Sequence, residues 1–300
     1  MEIIKLNLNN GRDFSDKLVV TIGSFDGIHL GHKKIFEKME EISNELRLKK
    51  AVITFDIHPD YLLKKRVNNG YISDYNSKLN YFKNLNFDYY FSLDKEILSL
   101  TYNEFHQKVL DLICTECIIV GEDFKYGYKA LGNVETLSNC YKVISYPLVN
   151  IGNDKISSNQ IRKFLLGGQV EKIKELTGNN YILSGVVTKG AGLGKKLGFP
   201  TANIALPIDS FNMRKGVYET IVHIDGYCYK GVTNVGINPT INTQVSPRVE
   251  TYIIDFNNDI YGKNIDIEFI EFLREEKKFD SKEELIDEVL KNIEYVKRSS

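Results

Sequence analysis

The sequence predicts an α/β half followed by an all-β half. Three observations carry that reading. Up to about residue 180, short apolar runs alternate with stretches whose apolar residues recur every three or four positions, the pattern of a parallel sheet with helices on both faces. From residue 181 strand patterns follow one another with no room for helices between most of them. A helical pattern then closes the chain. The expected domains are residues 1–180 and 181–300.

In the first half, "KLVVTI" (17–22) and "AVITF" (51–55) are continuous and β-branched, as buried strands are. Between them Ile35, Met39, Ile42 and Leu46 recur at helical spacing. "FDYYFS" (87–92), "CIIVG" (117–121) and "YKVISYP" (141–147) supply further strands, with helices expected near 74–85, 102–113, 157–166 and 169–177. The second half offers "YILSGVVT", "TANIAL", "GVYETIVHI", "YCYKGVTNVG", "VETYIIDF" and "NIDIEFIEFL". Asp225-Gly226 is a two-residue hairpin signal and "FNNDIYG" marks another turn. Six antiparallel strands suggest a small closed barrel, because closure removes exposed edges. "DSKEELIDEVLKNIEYVKR" reads as a C-terminal helix with an Asp or Ser cap and early acids.

Composition narrows the classes. The 300 residues are 42% hydrophobic and 26% charged with a net charge of −1, which argues against a general nucleic-acid or membrane surface. No segment approaches the ~20 apolar residues of a membrane span. The opening "MEIIKLNLNNGRDF" lacks a long apolar core and cleavage site, so a cytoplasmic location is expected. Cys114 and Cys117 have CxxC spacing, but a structural zinc needs four ligands, and Cys140 and Cys228 are single and distant. The pair is read as packing cysteines at a helix-to-strand junction.

Two stretches carry chemistry. In "TIGSFDGIHLGHKK" (21–34), His29 and His32 stand three apart where a buried strand gives way to a helix. A helix N-terminus offers unpaired N–H groups and a positive dipole end, a natural phosphate cradle. Gly23, Gly27 and Gly31 allow a tight turn and close backbone approach. The chemistry this suits is nucleotidyl transfer, which needs alignment and charge stabilisation more than a protein nucleophile. A bare HxGH fits two incidental surface histidines equally well; placement after a buried strand favours phosphate.

The second stretch is "KGAGLGKKLGFPTANI" (189–204). A Walker A motif fails, because Lys195 is followed by Lys196 and no helix follows. A glycine-rich loop between strands can still lay its N–H groups on phosphates, which makes Gly190, Gly192, Gly194 and Lys195 candidate nucleotide contacts. Thr201 and Asn203, at i and i+2, share one strand face as hard neutral oxygen donors suited to Mg²⁺. Polar decoration on an edge strand is the alternative. Glu250 begins the strand "ETYIIDF", where a carboxylate at a barrel mouth could take the proton of an attacking hydroxyl. An ordinary exposed glutamate is the alternative there.

"GSFDGIHLGH" resembles the first signature of the bacterial bifunctional riboflavin kinase/FAD synthetase family, and "VITFDIHP", "VGEDFKYG" and "ISSNQIR" follow in the family's order. "GLGKKLGFPTANI", "KGVYET", "GVTNVGINPT", "RVETYIIDF" and "FLREEKKFDS" extend the resemblance over nearly the whole chain. It implies a Rossmann-like HxGH nucleotidyltransferase domain joined to a six-stranded antiparallel β-barrel with a C-terminal helix. It implies that riboflavin and ATP become FMN and ADP in the barrel, and that FMN and ATP become FAD and pyrophosphate in the N-terminal domain, with Mg²⁺ in both.

By the same resemblance His29 and His32 contact the ATP phosphates, and Gly23, Phe25, Asp26 and Gly27 shape that pocket. Ser158, Asn159 and Arg162 meet phosphate at a helix start. Asp123, Phe124 and Tyr126 line the flavin side, with a core aromatic as the alternative for Phe124. Gly190, Gly192, Gly194 and Lys195 cradle nucleotide, Thr201 and Asn203 hold the metal, Glu250 is the general base and Arg274 belongs to a flap. Two departures stand out: Asn159 replaces the usual threonine of SSTxxR, and Ile57 the first proline of FDPHP. Asn159 leaves room for a kinase with a weak adenylyltransferase; a non-catalytic flavin carrier or sensor is the reading of another class.

Overall fold

The computed structural model describes residues 1–300 except 8–13, 57–58, 60–69, 153, 191, 193, 195–196, 207–212, 240–244 and 300, and only the backbone at 237–239 and 245–247. Two compact units form: Met1–Val67 with Ser73–Ser158, and Asn68–Ile72 with Asn159–Ser300. Residues from 159 up to the first barrel strand, which the sequence grouped with the α/β half, are counted with the barrel. Among the described residues no helix is long and apolar enough to cross a membrane.

The first unit is built on β1 (Glu2–Leu6), β2 (Leu18–Ile22), α1 (Leu30–Leu46), β3 (Lys49–Phe55), α2 (Tyr75–Asn84), β4 (Tyr89–Leu93), α3 (Tyr102–Phe105, continued by a π turn over His106–Leu110), β5 (Thr115–Gly121), the ribbon β6 and β7 (Lys125–Tyr126, Gly132–Asn133), α4 (Val134–Ser138) and β8 (Lys142–Tyr146). A small hairpin, β9 and β10 (Asn150–Ile151, Asp154–Lys155), ends it. The six-stranded sheet runs β1-β4-β3-β2-β5-β8, with every pairing parallel. All five residues of β2 are buried, which explains why its sequence is apolar without alternation. Separate apolar clusters pack the two faces, one centred on Phe91 and Ile118, the other on Met39 and Phe82.

Helix α1 buries Ile35, Phe36, Met39 and Ile42 and turns out of the helix at Arg47, in the left-handed region. Edge strand β1 is not among the sequence expectations: "EIIKL" is short and mixes charge with apolar residues, and it pairs only with the distant β4. Cys117 packs inside β5 as expected. Its partner differs: Cys114 is exposed, in a left-handed turn (φ 50°), with its thiol donating to the Phe14 carbonyl at 2.8 Å.

In the second unit α5 (Ser158–Gly167, whose first residue closes the first unit) and α6 (Ile173–Thr177) precede the barrel. Its strands are β11 (Tyr181–Thr188), β12 (Thr201–Ala205), β13 (Gly216–Ile224), β14 (Tyr227–Pro239), β15 (Val245–Ile253) and β16 (Asn264–Arg274). They close in the order β11-β12-β15-β14-β13-β16, all antiparallel. Asp225 and Gly226 both have positive φ (50° and 84°), as a two-residue hairpin turn of type I′ requires.

Alternation along the strands sorts the barrel's faces. Thr220, Thr233 and Thr251 are fully buried and joined hydroxyl to hydroxyl at 2.7 and 2.9 Å. Their neighbours point outward, where Val217 and Val232 pack under Ile293 and Val296 of α7 (Lys282–Arg298). Ser281 caps α7 by accepting from Glu284 N at 3.1 Å, with Glu283 and Glu284 in its first turn and Lys297 and Arg298 in its last, matching the helix dipole. The far end is pinned: Lys230 Nζ donates to the carbonyls of Val296 (3.0 Å) and Ser299, and Ser299 Oγ donates to Glu219 Oε1 at 2.5 Å.

Candidate functional site

The chain leaves β2 for α1 and β3 on one side and later returns to β5 on the other, so the crevice beyond β2 and β5 is a topological switch point, where open α/β sheets take ligands. The turn after β2 carries both histidines. His29 is the N-cap of α1, and its Nδ1 accepts from His32 N at 3.4 Å. His32 Nδ1 accepts in return from His29 N at 3.5 Å. Two histidines thus form the reciprocal capping box usually made by Ser/Thr and Glu. Their rings stack at 3.7 Å and 16°.

That arrangement fixes the chemistry of both rings. A neutral imidazole whose Nδ1 accepts must carry its proton on Nε2. Burial lowers the His29 pKa to about 4, with nearby Lys155 pushing the same way and Asp123 opposing. Burial, then His29 itself, holds His32 well below the usual histidine range. Both are therefore neutral Nε2–H donors at physiological pH. They are not the incidental surface pair that four letters alone would allow.

The loop around them is held tightly. Phe25 has φ 47° and a buried ring packed edge-on against His32 and Phe82 and tilted against Phe36. A Cβ at Gly23 would sit 2.9 Å from that ring, and Gly27 has φ 68°, so both glycines are required by geometry. Asp26 is buried, with Oδ1 accepting from Ser73 N at 3.0 Å.

Sequence reasoning missed Lys78. Its ammonium donates to the carbonyls of Phe55 (2.6 Å) and Ser24 (3.3 Å) and to Thr54 Oγ1 (3.3 Å), clamping the loops after β2 and β3. Burial lowers its pKa to about 8. The available signal was a lysine four residues before Phe82, on the buried stripe of α2.

Beyond β5, Asp123 is exposed and paired with Lys155. Half-buried Phe124 stacks on Tyr126 at 5.5 Å and 7°. Tyr126 is only 7% exposed, and its hydroxyl is engaged with His106 Nε2 (2.6 Å) and Thr136 Oγ1 (3.0 Å). It supports Phe124 and presents no free edge. Ser158 opens α5, Asn159 follows it, and Arg162 lies one turn on, 5% exposed. The unit border falls between Ser158 and Asn159, so Arg162 is counted with the barrel. His58, Ile57 and Lys195 lie outside the described residues.

In the barrel unit, Asn203, Glu250 and Asn234 are register partners on three adjacent strands, and Thr201, Tyr252 and Val232 form the next row. Such partners stand about 4.5–5.5 Å apart. A cavity of about 350 Å³ opens over this surface, floored by Thr201, Asn234, Glu250 and Tyr252, within the size range of small-ligand sites. Leu285, Ile286 and Val289 of α7 with Phe279 form its apolar wall, and Arg248, Arg274, Glu276 and Lys277 its charged rim. Glu250 lies mid-strand on the barrel's outer wall beneath α7, not at a barrel mouth. The strand begins five residues earlier than its apolar pattern suggests, at Val245, because β14 continues to Pro239 beside it.

Gly190 and Gly194 press against the donor pair. A Cβ at Gly190 would lie 2.4–2.5 Å from the Asn203 amide, and one at Gly194 3.3 Å from Thr201 Oγ1. Asn203 Nδ2 donates to the Thr201 carbonyl at 3.4 Å. Gly192 has φ 70° and open space around its Cα. Arg274 Nε pairs with Glu288 at 3.2 Å and Asn292 at 3.4 Å, and burial lowers its pKa. Asn234, Arg248 and Glu276 were not among the sequence candidates; for Asn234 and Arg248 the outward alternation with Thr233 and Val249 was the readable sign, and Glu276, past the end of β16, offered none.

A parallel sheet with a histidine-capped first helix and a barrel with a glycine-backed donor pair define a chain of two phosphate-transfer modules. An FAD synthetase family model matches residues 12–160 and a riboflavin kinase model residues 177–300. The bifunctional riboflavin kinase/FMN adenylyltransferase of Buchnera aphidicola subsp. Acyrthosiphon pisum (strain APS) is 32% identical over 311 residues, covering 99% of this chain and 98% of that one. That of Listeria monocytogenes serovar 1/2a is 31% identical, covering 91% and 90%. A crystal structure described as a macrolide-efflux protein from Streptococcus pneumoniae matches with a TM-score of 0.87 at 29% identity over 99% of both chains. The chain belongs to the bifunctional riboflavin kinase/FMN adenylyltransferase family.

Proposed function

We infer that this chain makes both flavin cofactors in sequence, phosphorylating riboflavin within residues 181–300 and adenylylating FMN within residues 1–180. The observation that carries the reading is the cleft in which Glu250 and Thr201 face an apolar wall from α7. The wall suits a flat heteroaromatic ring. Glu250 accepts the proton of riboflavin's terminal ribityl hydroxyl as its oxygen attacks the γ-phosphorus of ATP and ADP leaves. Gly190, Gly192 and Gly194 lie along the nucleotide, and Arg274 helps close the flavin side.

Thr201 Oγ1 and Asn203 Oδ1, neutral hard oxygens two residues apart on one face of β12, suit Mg²⁺. Bound there, the ion would neutralise charge on the transferring phosphates.

In the first unit the Nε2–H groups of His29 and His32 donate to the triphosphate, and Ser158 supplies a further contact. A phosphate oxygen of FMN attacks the α-phosphorus of ATP, and the α–β bridging bond breaks to release pyrophosphate. Gly23, Phe25, Asp26 and Gly27 set the loop that aims the histidines. Asp123 and Phe124 meet the flavin, with Tyr126 supporting Phe124 from below. The reaction is placed in the cytoplasm, with riboflavin, FMN, FAD and ATP as the partners and no nucleic acid or membrane.

Incubation with riboflavin, ATP and Mg²⁺ followed by chromatographic separation of flavins tests the reading. FAD is the expected product. FMN alone would overturn the adenylylation step, and unchanged riboflavin would overturn both.

A further inference from the structure

Away from the cleft, β13 and β14 bring together a thiol, an imidazole and a carboxylate. His223 and Cys228 are register partners flanking the Asp225-Gly226 turn. Cys228 Sγ lies 3.3 Å from His223 Nδ1, and His223 Nε2 lies 2.8 Å from Glu268 Oε2 on β16. Glu268 is itself fixed, its Oε1 accepting from Asn180 Nδ2 at 2.7 Å. None of these residues lines the cleft at Glu250.

The hydrogen-bond directions follow from the donor inventory. A carboxylate only accepts, so His223 Nε2 must carry the proton it shares with Glu268. Neutral His223 therefore presents Nδ1 as an acceptor, and the Cys228 S–H is its donor. A nucleophile within reach of a base, the base oriented by a third group, is the arrangement that activates cysteine in enzymes. Cys228 is exposed, so a small electrophile can reach the sulfur.

We propose that Cys228, His223 and Glu268 form a thiol–disulfide exchange site, at which Cys228 is modified by low-molecular-weight disulfides. The Cys228 proton passes to His223 Nδ1 as Sγ attacks one sulfur of the incoming disulfide. The old S–S bond breaks, the new one joins Cys228 to one half, and the departing thiolate takes the proton from His223. One disulfide is consumed and one formed, so no further oxidant is needed. Cys228 lies four residues along β14 from Val232 at the cleft, about 13 Å at strand spacing, so the adduct leaves the kinase cleft open.

The molecule carries its own control. Cys140 is exposed like Cys228, and no histidine is bonded to it among the described residues. Folded protein is pulsed with oxidised glutathione at pH 7.5, quenched with acid, and each cysteine's adduct quantified by peptide mass spectrometry. Cys228 should be modified about tenfold or more faster than Cys140, and His223→Gln should remove most of that advantage. Glu268→Gln should also slow Cys228, because the amide no longer holds the tautomer that leaves Nδ1 free. Equal rates at Cys228 and Cys140 in the unmutated protein, or a rate at Cys228 indifferent to His223→Gln, would overturn the proposal.

Discussion

Replacing His29 by asparagine separates its electrostatics from its structural duty. Asparagine is a strong N-cap, so its carbonyl oxygen can take over acceptance from His32 N while nothing at the position titrates. In the native protein burial depresses the His29 pKa from 6.5 to about 4. A histidine depressed in this way leaves stability undiminished above pH 6.5 and costs it progressively as pH falls from 6.5 to about 4, because in that window the unfolded chain binds a proton that the folded one does not; below about 4 both bind it and the loss levels off. Between pH 7 and pH 4.5 the loss from His29 alone is about 2.5 kcal/mol. His32, depressed by burial and by His29, pushes in the same direction. Urea unfolding of the full chain at both pH values, read by amide-exchange protection of β2, measures the effect. Carboxylates also titrate in this window, so the informative quantity is the difference between the two proteins. At pH 7 their stabilities should be close, and at pH 4.5 His29→Asn should have lost about 2–3 kcal/mol less than the native protein. Equal losses would mean that His29 is not held neutral by burial, and the assignment of Nε2 as its proton donor would fall with it.

Two further substitutions probe the barrel. Glu250→Gln keeps the shape but cannot take a proton, so FMN formation should fall roughly 10²–10⁴-fold while FAD formation from supplied FMN holds; an undiminished kinase rate would remove Glu250 from the mechanism. Gly190→Ala puts a methyl within 2.5 Å of the Asn203 amide, which must swing away. Kinase activity should then need more Mg²⁺ for half-maximal rate, with adenylylation untouched, and an unshifted Mg²⁺ dependence would count against Asn203 as a ligand.

What the sequence disclosed was local. The histidine pair, the glycine turns and the six barrel strands all announce themselves through spacing or alternation within a dozen residues. The features it concealed depend on partners far along the chain. Strand β1 exists because Glu2–Leu6 pairs with Tyr89–Leu93, a match no window of sequence contains. Lys78 reads as one more helical lysine until the loops after β2 and β3 converge on it. Glu250 was legible as a carboxylate on a strand, but its place under α7 depended on which face of a closed barrel the last helix would cover. Cys228 stood single in the sequence for the same reason, since Glu268 is forty residues away and reaches His223 through the β13–β16 pairing.

The two ends of α7 are fastened by different means. Its last turn is moored to the barrel by Lys230 and Glu219 through its own carbonyls and Ser299. Its first half is tied by ion pairs, Lys277 with Glu284 at 3.4 Å and with Glu288 at 3.7 Å, and Arg274 of β16 with Glu288 at 3.2 Å. A 17-residue helix is about 25 Å long, so a tilt of about 5° about the moored end swings the other by about 2 Å. The start of the helix is therefore held by side-chain ion pairs and its end by backbone carbonyls, so rising salt should loosen the first before the second.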